Sequence, residues 1–445
     1  TRAGCSRRYA NALVCGEHDR NKLCDDNLHW RHPMIDPSTI RDEVKAMRPW
    51  LVDIRRKIHM HPELGHEEYV TADLIGACLD EMGIGYSRTA TAIVGLIPGG
   101  APVGGAPVGG APGRTVALRA DIDALPVTEE TGAEYASRRP GFMHACGHDA
   151  HMTVLLGAAR WFAEHREQFA GNVKLLFQPA EETTGGAKTM IADGCLENPH
   201  VDYVLGLHVM AYLPVGKIEV KKGALNGSST MIDITVRGTS CHAAYPETGV
   251  DAIMIAGHVV SALHSLVSRC VSPLDAAVLT IGTIKGGTVR NVVASEVKME
   301  ATLRTTDDVV RDTMVERVKA VVGNVAASFG GAGKVDVSYG YAALVNHDSI
   351  VDLVASTAGD VLGQGSVVWK EKPSMGVEDF SYFLKERPGA FYHLGCGNEA
   401  RGIGAALHAS TFDIDEDCLV TGVTMQVAST LRLLEGNEAP ITMKT

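Results

Sequence analysis

Four separated places in this 445-residue chain carry side chains that bind divalent metals: Cys146 with His148 in FMHACGHDAH, the pair Glu181 and Glu182 in QPAEE, His208 in YVLGLHV, and His408 in LHAS. Thiolate, imidazole and carboxylate together suit borderline ions such as Mn²⁺, Co²⁺, Ni²⁺ and Zn²⁺. One Cys, one Glu and three His exceed what one four-coordinate ion takes, but they suit two ions that share a donor. A thiolate has the lone pairs for that, so Cys146 is the candidate bridge. Two metals about 3.5–4 Å apart can hold a water between them and polarise a carbonyl together. Adjacent residues point in different directions, so of Glu181 and Glu182 one can ligate while the other moves a proton from water to a leaving nitrogen. Such a base works best with its pKa raised by a crowded, apolar setting.

Plainer readings stand beside this one. A cysteine in a Gly-rich loop often simply packs, an isolated Glu-Glu often opens a solvated helix, and a histidine in an apolar strand often fills a core. His59 and His61 form a His-x-His pair, but their place at the end of an amphipathic helix before Pro62 favours a structural role. A second chemistry makes Cys146 a nucleophile activated by His148 or His151. It leaves Glu182, His208 and His408 without purpose, and insensitivity to chelators would mark it. A third reading keeps the scaffold as a binding protein without turnover.

These residues need elements to hold them. Ser38 or Thr39 is placed to cap a helix that ends before His61-Pro62, and a second helix covers EEYVTADLIGACLDEMG up to Gly83. IPGGAPVGGAPVGGAPGRT is a tandem Gly-Ala-Pro repeat (residues 99–113) that reads as a surface loop. TVALRAD, NVKLLFQ and YVLGLHV are apolar strands alternating with helices, the pattern of a mostly parallel sheet with functional residues just after its strands. From residue 225 to 344 the order changes to βαββαβ, that of a ferredoxin-like sandwich. The expected architecture is α/β: a mostly parallel-sheet catalytic domain over 41–224 and 345–445, an inserted ferredoxin-like lid and dimerisation domain over 225–344, and an N-terminal appendage over 1–40.

Composition narrows the function. A net charge of −12 without clustered Lys or Arg argues against nucleic-acid and membrane partners. No apolar run reaches the roughly 18 residues of a spanning helix. Ten cysteines in so long a chain predict free thiols and a cytoplasmic location rather than a disulfide framework.

HMHPELGHEEYVTADLI, RADIDALPVTEETG, MHACGHDAHMTVLLGAA and FQPAEETTGGAKTMIADG resemble, in order, the signatures of N-acyl-amino-acid amidohydrolases, a group with hippurate hydrolases and auxin-conjugate hydrolases among the aminoacylase-like co-catalytic metallopeptidases. GLHVMAYLPVGKI, GTSCHAAYPETGVDAI, TVRNVVAS, MGVEDFSYFL and LHASTFDIDEDCL continue the likeness, which runs from about residue 43 to 434. The resemblance implies Cys146, His148, Glu182, His208 and His408 as ligands of two divalent ions (Mn, Zn, Co or Ni), with Glu181 as general base. It implies that Asp121 orients a ligand imidazole and that His242 polarises the scissile carbonyl, in its own or a neighbouring subunit's site. Asn291 and Arg304 fall where substrate oxygens are bound. The implied reaction is hydrolysis of a small N-acyl amino acid, with peptide hydrolysis as the alternative, by a homodimer joined through the inserted domain. Cys241 stands where a glycine is usual, and Ala409 where serine or proline is common.

Overall fold

The computed structural model describes residues 36–101 and 113–436. Most of the N-terminal appendage and most of the Gly-Ala-Pro repeat lie outside the described residues. The first helices show why chain punctuation matters. Asp36, not Ser38 or Thr39, caps the helix Pro37–Ala46, its carboxylate accepting the Ser38 N–H at 2.9 Å. The single expected helix is two, because Pro49 lacks an N–H and belongs in a first turn; Arg48–His59 starts there.

Runs of apolar residues without polar alternation predict strands covered on both faces, and the main sheet is built of them. Thr115–Asp121 is buried at every position. It pairs in parallel with Asn172–Gln178 on one side and with Tyr203–Pro214 on the other. Gly389–Gly397 lies parallel to Tyr203–Pro214, and antiparallel Ala92–Pro98 and Gly85–Thr89 extend the opposite edge of the eight-stranded sheet. Successive residues point to opposite faces. Val116, Leu118 and Ala120 join the helices Arg48–His59, His148–Glu164 and Asp417–Glu435 in the larger core. Ala117 turns to the other face, closed by Met190, Phe380 and Phe383. His208 lies within its strand rather than just after it, because Gly389–Gly397 keeps the ladder going, with His393 opposite His208.

The inserted unit has the expected βαββαβ order. Thr230–Arg237, Ala277–Gly286, Glu296–Thr305 and Ala332–Tyr339 form an antiparallel sheet in the order fourth, first, third, second. Its two helices, Ala252–Cys270 and Asp308–Ser328, are each capped by an aspartate: Asp251 accepts the N–H groups of Ile253 and Met254, and Asp307 those of Val309 and Val310. Ala252–Cys270 is long and apolar enough to cross a membrane by length and composition, contrary to the reading of the sequence. Its stripe of Ile255, Val259, Leu263 and Leu266 is nevertheless packed into the lid core.

Gly147 links this architecture to chemistry. It sits between Cys146 and His148 at φ 82°, and a Cβ there would lie 2.3 Å from Val209 Cγ2. Gly147→Ala is expected to cost about 2–5 kcal/mol of stability, the left-handed backbone and the overpacking together. A shift of the urea midpoint measures this, and an unchanged midpoint would show the turn to be slack.

Candidate metal centre

The donors converge at the C-terminal ends of the parallel strands, where a doubly covered sheet leaves its crevice. Cys146 and His148 come from the turn that starts helix His148–Glu164. His148 Nδ1 donates to the Asp123 carbonyl at 2.9 Å, with Asp123 Oδ1 at 3.2 Å. This places the ring proton on Nδ1 and leaves the Nε2 lone pair facing the cluster. His148 Nε2 is buried without a hydrogen-bond partner among the described residues. His208 follows the same logic: Nδ1 donates to the Val209 carbonyl at 2.8 Å, and Nε2 lies 3.3 Å from Cys146 Sγ.

Glu182 and His408 complete the group from the opposite side. The Glu182 N–H donates to Asp123 Oδ2 at 2.9 Å, so Asp123 steadies two donors at once. Glu182 Oε1 is buried and makes no hydrogen bond among the described residues. His408 Nε2 stands 3.0 Å from that oxygen, close enough for an ion pair but off the line of a hydrogen bond. The His408 N–H donates to the Ala145 carbonyl at 2.8 Å, which pins its loop beside Cys146. Ligand atoms of Cys146, His148 and His208 lie within 4.8 Å of one another, and so do those of Cys146, Glu182 and His408. Cys146 belongs to both sets. Orphaned lone pairs on buried nitrogen and oxygen beside a shared sulfur are the donor pattern that two cations would fill.

Burial pushes the Cys146 thiol well up. That is the opposite of what a nucleophilic cysteine needs, and a cation would have to displace the proton. His151 cannot serve as the base of such a nucleophile either. Its Nδ1 donates to Asp121 Oδ1 at 2.6 Å and its Nε2 accepts the Val209 N–H at 2.9 Å, so both ring nitrogens are taken. Asp121 therefore bonds the imidazole of His151, and the carboxylate bonded to the candidate-ligand imidazole of His148 is that of Asp123. Asp121 Oδ2 is 3.6 Å from His148 Nε2.

Glu181 is buried, and its carboxylate makes no hydrogen bond among the described residues. Burial raises its pKa well above the usual range, with the neighbouring Glu378, Asp379 and Glu182 carboxylates adding to the effect. Glu378 is itself pushed up to about 8 by burial. A buried cation holds this acidic cluster: Arg119 Nη2 donates to Glu378 Oε1 at 3.0 Å and to Asp379 Oδ1 at 2.8 Å, while Nη1 donates to Asp121 Oδ2 at 2.7 Å. Sequence reasoning did not single out Arg119, Asp123, Glu378 or Asp379. Charged residues inside the all-apolar strand and the acidic pair ahead of Phe380 were the available signals.

The other candidates sort by surroundings. His59 is buried and structural, its Nδ1 2.8 Å from Asp149 Oδ2, which also accepts from Arg55 Nε at 2.7 Å. His61 is exposed and meets the Lys57 carbonyl at 2.9 Å. His144 is held neutral, burial pushing it down to about 3. His242 and Asn291 lie together on the lid: the Ala243 N–H donates to the Asn291 carbonyl at 3.1 Å, and the Ala244 N–H donates to His242 Nδ1 at 3.1 Å. The second bond makes Nδ1 the acceptor, which leaves the His242 ring proton on Nε2 as a donor. Arg304 is half-buried on the lid strand Glu296–Thr305, and its Nη1 has no hydrogen-bond partner among the described residues. None of these three is among the converging donors.

Comparison with known proteins agrees with the donor pattern. The model of the peptidase family M20/M25/M40 matches residues 117–431. Thermostable carboxypeptidase 2 of Saccharolobus solfataricus is 36% identical over 86% of this chain and 95% of its own. N-acetyl-L-cysteine deacetylase of Bacillus subtilis is 38% identical over 91% and 94%, and IAA-amino acid hydrolase ILR1-like 4 of Arabidopsis thaliana is 37% identical over 86% of both chains. Among solved structures, the YXEP protein of Bacillus subtilis, described as a dinuclear metal binding peptidase, superposes with a TM-score of 0.76 at 29% identity, covering 88% of this chain and 99% of its own. The chain thus belongs to the peptidase family M20/M25/M40 and is a hydrolase of amide bonds.

Proposed function

We propose that this protein hydrolyses N-acyl amino acids, releasing a carboxylic acid and a free amino acid, with two divalent ions held by Cys146, His148, Glu182, His208 and His408. The observation that carries the reading is Cys146 Sγ standing in both donor sets, with the Glu181 carboxylate beside them and without a hydrogen bond among the described residues. Two cations held there would polarise the amide carbonyl and acidify a water. Glu181 takes the proton of the attacking water and returns it to the amide nitrogen as the C–N bond breaks. His242 donates from Nε2 to the carbonyl oxygen, while Asn291 and Arg304 bind the substrate's oxygens. Mn²⁺, Zn²⁺, Co²⁺ and Ni²⁺ all suit the donor set. A reducing, cytoplasmic setting is proposed with it, because Cys146 must stay unoxidised to bind a metal. Removal of acetyl or aryl-acyl groups is favoured by likeness to a deacetylase and a conjugate hydrolase, and peptide hydrolysis by likeness to a carboxypeptidase.

A panel of hippurate, N-acetyl, N-aminobenzoyl and indole-acetyl amino acids, with each metal added to stripped protein, is the test. Hydrolysis should appear only with metal and vanish on chelation. Glu181→Gln should retain metal while kcat falls at least about 100-fold, the usual worth of a positioned proton shuttle. Substantial turnover by that variant would remove Glu181 from the role.

The shared thiolate makes its own prediction. Cys146→Ser should bind less than one ion per chain by elemental analysis, and in the parent protein metal affinity should rise with pH as the thiol proton is displaced. Two ions retained by the serine variant would refute the bridge.

We also propose a homodimer through the inserted domain. The edge strand Ala277–Gly286 is paired on one side only, with Val278 and Ile284 exposed, and Ile253 and Met254 are exposed on the adjacent helix. If His242 serves the partner's site, equal amounts of the inactive Glu181→Gln and His242→Ala proteins, after subunit exchange, should recover about one active site in four. No recovery despite exchange would confine His242 to its own subunit.

A further inference from the structure

Among the described residues nothing bonds the Glu181 carboxylate, so its direction depends on the backbone that carries it. That backbone is a strained turn: Ala180 has φ 60°, a value that costs a non-glycine residue about 1–2 kcal/mol. Two groups of the catalytic domain hold the turn, Glu68 Oε1 accepting the Ala180 N–H and Asp123 Oδ2 accepting the Glu182 N–H, both at 2.9 Å. The residue between them is held from elsewhere. The Tyr341 hydroxyl donates to the Glu181 carbonyl oxygen.

Tyr341 lies where the chain returns from the lid, between strands Ala332–Tyr339 and Leu344–Asn346. Here the two crossings between domains are clasped together. The Ser229 N–H donates to the Tyr341 carbonyl at 2.8 Å, and the Tyr341 N–H donates to Ser229 Oγ at 3.0 Å. The Gly340 N–H donates to the Ser229 carbonyl at 2.9 Å. The Tyr341 ring is seated against the turn itself: a Cβ on Gly185 would lie 2.8 Å from Tyr341 Cε1, and Gly185 has φ 81°. Burial pushes the Tyr341 phenol up, so it remains a hydrogen-bond donor throughout the working pH range.

We infer that Tyr341 is a positioning residue that ties the aim of the Glu181 carboxylate to the lid hinge, an inference that rests on the hydrolase reading above. A displacement of the hinge is transmitted through one rigid phenol to the carbonyl of the base residue. The base is therefore aimed when the lid has the right position and released when it has not.

Tyr341→Phe keeps the ring and deletes the bond. In the metal-loaded enzyme, kcat should fall roughly 10- to 100-fold with KM within about twofold, the pattern of lost orientation rather than lost binding. Both ions should be retained, and the amides of residues 182–186 should exchange hydrogen faster. Tyr382→Phe is the control, since its hydroxyl donates to the Gly340 carbonyl at 2.8 Å and touches the hinge without reaching the base turn. It should leave kcat within about twofold and the exchange at 182–186 unchanged. A Tyr341→Phe enzyme as fast as the parent overturns the inference, and so does an equal loss in Tyr382→Phe. If the parent hydrolyses none of the substrates, the hydrolase reading fails. Exchange at 182–186 then judges the link alone, and unchanged exchange in Tyr341→Phe rejects it.

Discussion

A buried guanidinium organises this centre. Arg119 is almost fully removed from water, and taking a cation there is costly unless every donor is matched. It is matched by Gln178 Oε1 at 2.9 Å and by the Asp121, Glu378 and Asp379 carboxylates. Each partner then does a second thing. Asp121 holds His151, whose other nitrogen takes the Val209 N–H next to His208. Gln178 ends the strand that leads to Glu181 and, through Nε2, donates to both Asp379 oxygens. Asp379 accepts the Ala187 N–H at 3.1 Å and so fixes the far side of the base turn. One charge registers two strand ends, a third strand through His151, and two loops. Removing a single partner of such a group typically costs 3–5 kcal/mol, which makes this part of the structure stiff where the donors need it to be.

Burial together with this arrangement raises the proton affinity of the candidate base Glu181. Three carboxylates around one guanidinium leave an excess of negative charge in a site nearly free of water. Glu378 and Glu181 both respond by holding their protons more tightly than a solvated acid does. A carboxylate whose neighbours oppose its ionisation is a better proton acceptor than one on the surface. The proton affinity of Glu181 is thus raised first by its burial and then by the carboxylates of Glu378, Asp379 and Glu182.

Much of this was legible in the sequence, and the limits have physical causes. Residue type marked the donors only as candidates, because packing, a solvated helix start and a core histidine explain each of them equally well alone; the resemblance to amidohydrolases is what selected the five. The strands and the βαββαβ insert followed from period-two and continuous apolar patterns, as in Glu296–Thr305, where buried and exposed residues alternate. What stayed hidden was pairing over long separations. Arg119 meets Glu378 and Asp379 some 260 positions away, and in sequence an arginine and two acids look like ordinary solvated residues. The choice between Asp121 and Asp123 as the partner of His148 was hidden too. They lie two residues apart at the end of one strand, and only the path of the backbone after Asp121 decides which carboxylate reaches the imidazole.

Backbone strain at the centre follows the same division of labour. Ala180, His408 and His66 all adopt positive φ, and each belongs to a segment touching the site. Ala180 precedes the base, His408 is itself a candidate ligand, and His66 Nε2 lies 2.7 Å from Thr184 Oγ1 at the end of the base turn. Glycine would relieve the strain at any of them, but it would also restore the freedom to leave the conformation. A side chain held in an unfavourable well by Glu68, by the Ala145 carbonyl or by Thr184 has one place to go while those bonds last. For a candidate base whose carboxylate makes no hydrogen bond among the described residues, a turn held at three points is what keeps it beside the donor cluster.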